Sequence, residues 1–308
     1  MKIVIHPDSP RGVAESLRPV DGLDIALPAT ADDVARELAA GAEVFVTSFW
    51  RDDFLSPSLR WVAGTGAGTE QYPLDKFSER AIVLTTAHDV HSVCVAEHAF
   101  ALLLASTRRI GPAVRNMVTR TWKPEPGDEL AGKRMAIVGL GRIGEEVARR
   151  ALAWDMDVVG IKRTPDDYSG CVREVRGSHA LSEVCEWADI VVLTAPATPS
   201  TVGLIGDEEL ALLGAGWLVN VGRGALVDMH ALYRALTDGA LRGAALDVTD
   251  PEPLPADSPL WGCANLVLTA HYAGDSPNFG PRWLRIFEQN RRAFSGLDVW
   301  VNRVGNAG

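Results

Sequence analysis

Lysine is scarce in this chain. Only five of its 30 basic residues are Lys, at positions 2, 76, 123, 133 and 162, and the rest are Arg. Forty acidic residues leave a formal net charge of −10 over 308 residues. A chain this acidic lacks the basic surface that nucleic acid or an anionic membrane requires, so neither is expected as a partner. Any anionic substrate must be met by cations placed locally. Cysteine is scarce too. Cys94, Cys171, Cys185 and Cys263 form no C-x-x-C pair, which points to ordinary thiols in a reducing cytosol rather than to disulfides or metal ligands. Long apolar runs are missing. The longest, Phe100-Ala-Leu-Leu-Leu-Ala105, is too short to span a bilayer, and Met1-Lys-Ile-Val-Ile5 reads as a strand rather than an apolar leader. The expected location is the cytoplasm.

What is present is 47% hydrophobic residues, enough for about two domains with real cores. Short apolar runs alternate with helix-period segments almost throughout, the pattern of an α/β protein with parallel sheets. Strands are expected at Lys2–Ile5, Glu43–Thr47, Arg60–Ala63 and Ala81–Leu84, with a helix over Ala31–Ala40 behind the N-cap Thr30. One long helix is expected from Val93 to Asn116. A loop rich in Pro and polar residues, Trp122–Asp128, leads to a second unit that begins near Lys133 and alternates strand and helix as a doubly wound sheet.

That unit opens with Gly139-Leu-Gly-Arg-Ile-Gly144 between a buried-strand run and a helix. In this setting Gly139 permits a tight turn, Gly141 lets backbone approach a pyrophosphate, and Gly144 lets the helix pack on the strand. Arg142 and Ile143 sit at the helix start, where backbone N–H groups favour an anion. A ribose-binding acid is expected at the end of the next strand. Instead Lys162, Arg163 and Thr164 stand there, two cations and a hydroxyl suited to a 2′-phosphate. NADP(H) is therefore preferred. NAD(H) stays possible, because Asp166 and Asp167 follow closely; the plain alternative is a solvated basic turn.

Arg223, Glu252 and His271 are the candidate catalytic residues. They are separated by 29 and 19 residues, each about one crossing of the fold, so all three emerge at the carboxyl edge of the sheet, where such sheets bind ligands. Arg223 can hold a carboxylate or polarise a carbonyl without losing its charge. Glu252, between Pro251 and Pro253, is expected as a buried carboxylate that orients His271 and stabilises its charged form. His271 can then give a proton to a developing alkoxide.

These segments resemble the D-isomer-specific 2-hydroxyacid dehydrogenase family. The resemblance rests on Val95-Ala-Glu-His98, the glycine turn, Asn220-Val-Gly-Arg-Gly224, Leu246-Asp247, Pro251-Glu-Pro-Leu-Pro255, Ser258-Pro-Leu-Trp261 and Leu268-Thr-Ala-His-Tyr-Ala-Gly274. It implies two doubly wound α/β domains, Rossmann-like and flavodoxin-like, with a cleft between them. Residues 1–92 with 279–308 would form the substrate domain, and 93–278 the dinucleotide domain. The resemblance also implies NAD(P)H-dependent reduction of a small 2-oxo acid to the D-2-hydroxy acid, reversibly, by a homodimer. Lys162-Arg163 leans toward the NADP-preferring glyoxylate/hydroxypyruvate reductase branch, and Glu252 argues against the formate dehydrogenases, which pair the His with Gln. By the same resemblance, Asp247 lies near the nicotinamide carboxamide, and Ala195, Pro196, Val221, Gly222 and Ala273 line the cofactor. The backbone of Ala67 and Gly68 would hold the substrate carboxylate, with Trp50 a candidate pocket wall. Two departures stand out: Asp89 replaces a Gly, and Ala270 replaces the usual Pro before His271. A co-repressor-like protein of the same fold that senses a dinucleotide is the competing expectation; a turnover assay separates the two.

Overall fold

The computed structural model describes residues 1–10 and 12–305. They form two units. Unit 1 is Met1–His91 together with the chain from Asp275 onward, and unit 2 is Ser92–Gly274. The return to unit 1 falls at Asp275 rather than at 279. The C-terminal helix is seated closely within unit 1. A Cβ on Gly280 would lie 2.3 Å from Gly12 O, so that helix meets the N-terminal segment backbone to backbone.

Unit 1 carries strands β1 (Lys2–Ile5), β2 (Asp24–Ala26), β3 (Val44–Thr47), β4 (Trp61–Gly64) and β5 (Val83–Thr85). Its helices are α1 (Val13–Leu17), α2 (Ala31–Ala39) and α3 (Leu74–Glu79). Helix α2 starts as expected, with Thr30 Oγ1 accepting from the Asp33 N–H at 3.2 Å. Unit 2 carries helices α4 (Ser92–Thr107), α5 (Ile110–Val118), α6 (Arg142–Ala153), α7 (Leu181–Trp187), α8 (Asp207–Leu213) and α9 (Met229–Thr237). Its strands are β6 (Arg134–Val138), β7 (Asp157–Ile161), β8 (Glu174–Arg176), β9 (Ile190–Leu193), β10 (Trp217–Asn220), β11 (Gly243–Leu246) and β12 (Leu266–Leu268). Helix α10 (Phe279–Phe294) and strand β13 (Arg303–Val304) complete unit 1.

The sheet of unit 1 runs β13-β5-β4-β3-β1-β2, parallel except for β13. That of unit 2 runs β12-β11-β10-β9-β6-β7-β8, parallel throughout. Both faces of each sheet are covered, which is why the strands read as continuous apolar runs. In unit 1, Ile3, Val44 and Trp61 join one core with Trp283 and Phe287, while Val4, Phe45 and Val62 join the other with Leu38 and Phe77.

The expected helix from Val93 to Asn116 is two helices. Arg109 breaks it with a φ of 60°. Pro112 explains the break, since a helix running through it would lose the bond to Arg108 O and press the proline ring on that carbonyl. In the first turn of α5 the proline is tolerated. Among the described residues no helix is long and apolar enough to cross a membrane, and no group of His, Cys, Asp or Glu is arranged to hold a metal ion.

Candidate active site

Strand β6 ends at Val138 and the chain turns at Gly139, whose φ of 102° only glycine adopts readily. A Cβ there would also lie 2.6 Å from Ala195 N. At Gly144 a Cβ would sit 2.2 Å from Gly139 O, so this glycine lets α6 lie against its own strand. Gly141 differs: a Cβ there would meet nothing within 4 Å. It opens onto a cavity of about 290 Å³ lined by Gly139, Gly141, Lys162, Arg163, Thr164, Ala195 and Pro196. Having no side chain, Gly141 leaves the positive dipole end of α6 facing that space. These seven expected cofactor residues thus share one cavity, and glycine chemistry and charge both suit a dinucleotide. Ile143 instead packs, half-buried, on the core beneath the sheet.

Ser178, Thr198, Ser200 and Thr201 line the same cavity and were missed in the sequence. Thr198 N–H donates to Thr201 Oγ1 at 2.8 Å, and Thr201 Oγ1 donates to Pro196 O at 2.7 Å, so the loop after β9 is held as a tight hydroxyl-rich turn. The available signal was its place after the strand at which the order reverses.

Arg223 follows β10 in an extended conformation, half-buried, with Nη1 donating to Gly222 O at 2.8 Å. Asn220, fully buried, shapes the loop. Its amide donates to Arg223 O at 2.9 Å, and its Oδ1 accepts from Gly222 N–H at 3.0 Å. A Cβ on Gly224 would lie 1.9 Å from Thr249 O, so the Arg223 loop lies directly against the segment that leads to Glu252. Thr249 N–H in turn donates to Glu252 Oε1 at 3.0 Å. Both prolyl bonds around Glu252, Asp250–Pro251 and Glu252–Pro253, are cis.

His271 Nδ1 and Glu252 Oε2 are 2.7 Å apart. The carboxylate therefore holds the Nδ1 proton and leaves Nε2 for chemistry. The expected burial of the carboxylate is not found: the side chains of Glu252 and His271 are 36% and 52% exposed. Glu252 lies in the loop beyond β11 and His271 in the loop beyond β12. Between the two loops and Trp261 lies a largely apolar pocket of about 590 Å³.

Asp247, at the end of β11, is 2% exposed. Burial pushes its carboxyl up, but hydrogen bonds from His98, Thr269 and the Ala273 N–H outweigh it and hold the group at about 2. Val221, Gly222 and Ala273 are buried at the same edge. In unit 1, Ala67 and Gly68 follow β4 at its carboxyl end. Trp50 turns into the core of that unit, edge-on to Phe77 at 4.7 Å between ring centres, and the ring left 45% exposed there is Phe49.

A family model described as D-isomer specific 2-hydroxyacid dehydrogenase, NAD binding domain, matches residues 100–273. A D-3-phosphoglycerate dehydrogenase of Methanocaldococcus jannaschii is 33% identical over 285 residues, covering 88% of this chain and 53% of that protein. A glyoxylate reductase of Korarchaeum cryptofilum is 35% identical over 259 residues, 81% of this chain and 77% of its own. The chain thus spans about half the length of the first relative and three quarters of the second. An NADPH-dependent glyoxylate/hydroxypyruvate reductase from Sinorhizobium meliloti, solved with NADP and malonate, superposes with a TM-score of 0.81 at 27% identity, covering 99% of this chain and 96% of that one. On sequence and architecture together, the chain belongs to the D-isomer specific 2-hydroxyacid dehydrogenase family.

Proposed function

We propose that the protein is an NAD(P)H-dependent reductase of small 2-oxo acids, of glyoxylate or hydroxypyruvate size, that forms the D-2-hydroxy acid reversibly. The carrying observation is the His271–Glu252 pair at 2.7 Å, beside the Arg223 loop and on the same sheet as the glycine cradle. Gly139, Gly141 and Gly144 with the start of α6 take the pyrophosphate. Lys162, Arg163 and Thr164 take a 2′-phosphate, which favours NADPH over NADH. When bound, the nicotinamide cofactor supplies a hydride for C2 of the substrate.

The protein's own groups do the rest. Arg223 holds the substrate carboxylate and polarises the carbonyl with a charge it never loses. Within unit 1, the family resemblance assigns the backbone N–H groups of Ala67 and Gly68 to substrate binding. His271 Nε2 gives its proton to the C2 oxygen as that oxygen gains negative charge, and takes it back in the reverse direction. Glu252 keeps the ring oriented through Nδ1. The apolar side chains that α5 exposes, Ile110, Val114, Met117 and Val118, together with Trp122, support a homodimer. Cys94, Cys171, Cys185 and Cys263 are thiols, the form that the proposed reducing cytoplasm would keep.

The test is a panel of 2-oxo acids assayed with NADPH and NADH. Small 2-oxo acids should oxidise NADPH fastest. Failure of every member with either cofactor would refute the reading in favour of a dinucleotide-sensing protein.

A further inference from the structure

Helix α4 meets the His271 segment through two side chains one turn apart. Cys94 Sγ donates to Gly274 O at 3.3 Å. His98 Nε2 lies 2.9 Å from Thr269 Oγ1 and 3.4 Å from Asp247 Oδ1. The His98 side chain is 18% exposed, and its ring stands edge-on to Tyr272 at 5.3 Å between ring centres.

The proton order in this chain is dictated by chemistry. An ionised carboxylate only accepts, so the Thr269 hydroxyl donates to Asp247 Oδ1, at 2.6 Å. Thr269 Oγ1 then has only lone pairs to offer His98, and His98 must carry its proton on Nε2. That single N–H serves Thr269 and, at longer range, Asp247.

Asp247 in turn holds three successive backbone N–H groups. His271 N–H donates to its carbonyl oxygen at 2.8 Å, Tyr272 N–H to Oδ1 at 3.2 Å and Ala273 N–H to Oδ2 at 3.0 Å. Two of these N–H groups, of Tyr272 and Ala273, meet the carboxylate, and the third meets the carbonyl of the same residue, so Asp247 ties down the whole turn. That hold is needed because His271 has a φ of 52°, which a residue with a side chain adopts only when its surroundings impose it.

We propose that His98 is a positioning residue: through Thr269 and Asp247 it holds the turn that presents His271. It does not touch substrate. The catalytic consequence rests on the reductase reading above; the anchoring of the turn does not. The role was invisible in the sequence, where His98 and Thr269 are 171 residues apart.

The test combines amide hydrogen exchange, resolved by NMR at residues 271–273, with steady-state kinetics. His98→Leu removes the donor, and Thr269→Val breaks the same chain at its middle link while leaving the sequence of α4 unchanged. Each should speed exchange at the three amides and lower kcat about tenfold, the worth of about one hydrogen bond. KM for the 2-oxo acid should move less than about twofold, since ground-state binding is untouched. His98→Gln puts an amide N–H near the Nε2 position and should recover kcat to within about threefold of wild type. Wild-type exchange in both His98→Leu and Thr269→Val would overturn the proposal. So would a His98→Gln as impaired as His98→Leu, because the ring would then act by packing alone. If the exchange pattern holds while the wild type reduces no 2-oxo acid, the anchoring stands and the reductase reading falls.

Discussion

Replacing Gly141 by Ala should leave folding intact and remove the dinucleotide. The backbone there, with φ −89° and ψ −161°, suits any residue, and the added Cβ meets no protein atom within 4 Å. Losing the glycine's freedom in the unfolded chain stabilises by roughly 0.4–1 kcal/mol. Alanine is the poorer residue at a helix start by a similar amount, so stability should change by about 0.5 kcal/mol or less. The added methyl does protrude into the space claimed for the pyrophosphate. Each charge-assisted hydrogen bond it displaces is worth about 1.5–3 kcal/mol, so affinity for NADPH should fall at least tenfold. Gly144→Ala is the matched control. Its Cβ would lie 2.2 Å from Gly139 O and 3.0 Å from Thr194 Oγ1, so α6 must move and stability should drop by about 1–3 kcal/mol. Thermal melting and NADPH fluorescence titration on both variants separate the effects. A folded Gly141→Ala protein that binds NADPH as tightly as wild type would refute the placement of the pyrophosphate.

Two further outcomes are expected. Arg163→Ala should weaken NADPH more than tenfold in kcat/KM, the loss of a charge-assisted contact to phosphate, and leave NADH nearly unchanged; equal losses with both cofactors would contradict the 2′-phosphate assignment. Asp247, held at about 2 against an ordinary 3.8, contributes about 2 kcal/mol of stability at neutral pH. Its folded value is the lower one, so that contribution is complete above about pH 4 and is lost as the pH falls toward 2. Urea unfolding should therefore show the gap between wild type and Asp247→Asn narrowing over that range; a gap independent of pH would contradict it.

Much of unit 2 was legible because its signals are local. Strand β6 starts at Arg134, beside the expected start near Lys133, and the three glycines stand where turn, open space and close packing each require one. The three-residue strands β2 and β8 were not legible: each lies at a sheet edge, where no long apolar run is demanded. The break at Arg109 had a visible cause in Gly111-Pro112, and the polar run Ser106-Thr-Arg-Arg109 marks the same place. The exposure of Glu252 and the inward turn of Trp50 depend on how far each loop extends past the sheet, which spacing does not encode. The arrangement of His98, Thr269 and Asp247 depends on a helix and a strand distant in sequence, and only their packing reveals it.

In the proposed mechanism His271 delivers the proton while other groups hold the cofactor. Turnover of small 2-oxo acids and NADPH binding, measured side by side in wild type and His271→Ala, test it directly. Loss of general acid catalysis should lower kcat by at least about a hundredfold, with NADPH affinity within about twofold of wild type. A His271→Ala protein that still turns over at the wild-type rate would contradict the mechanism outright.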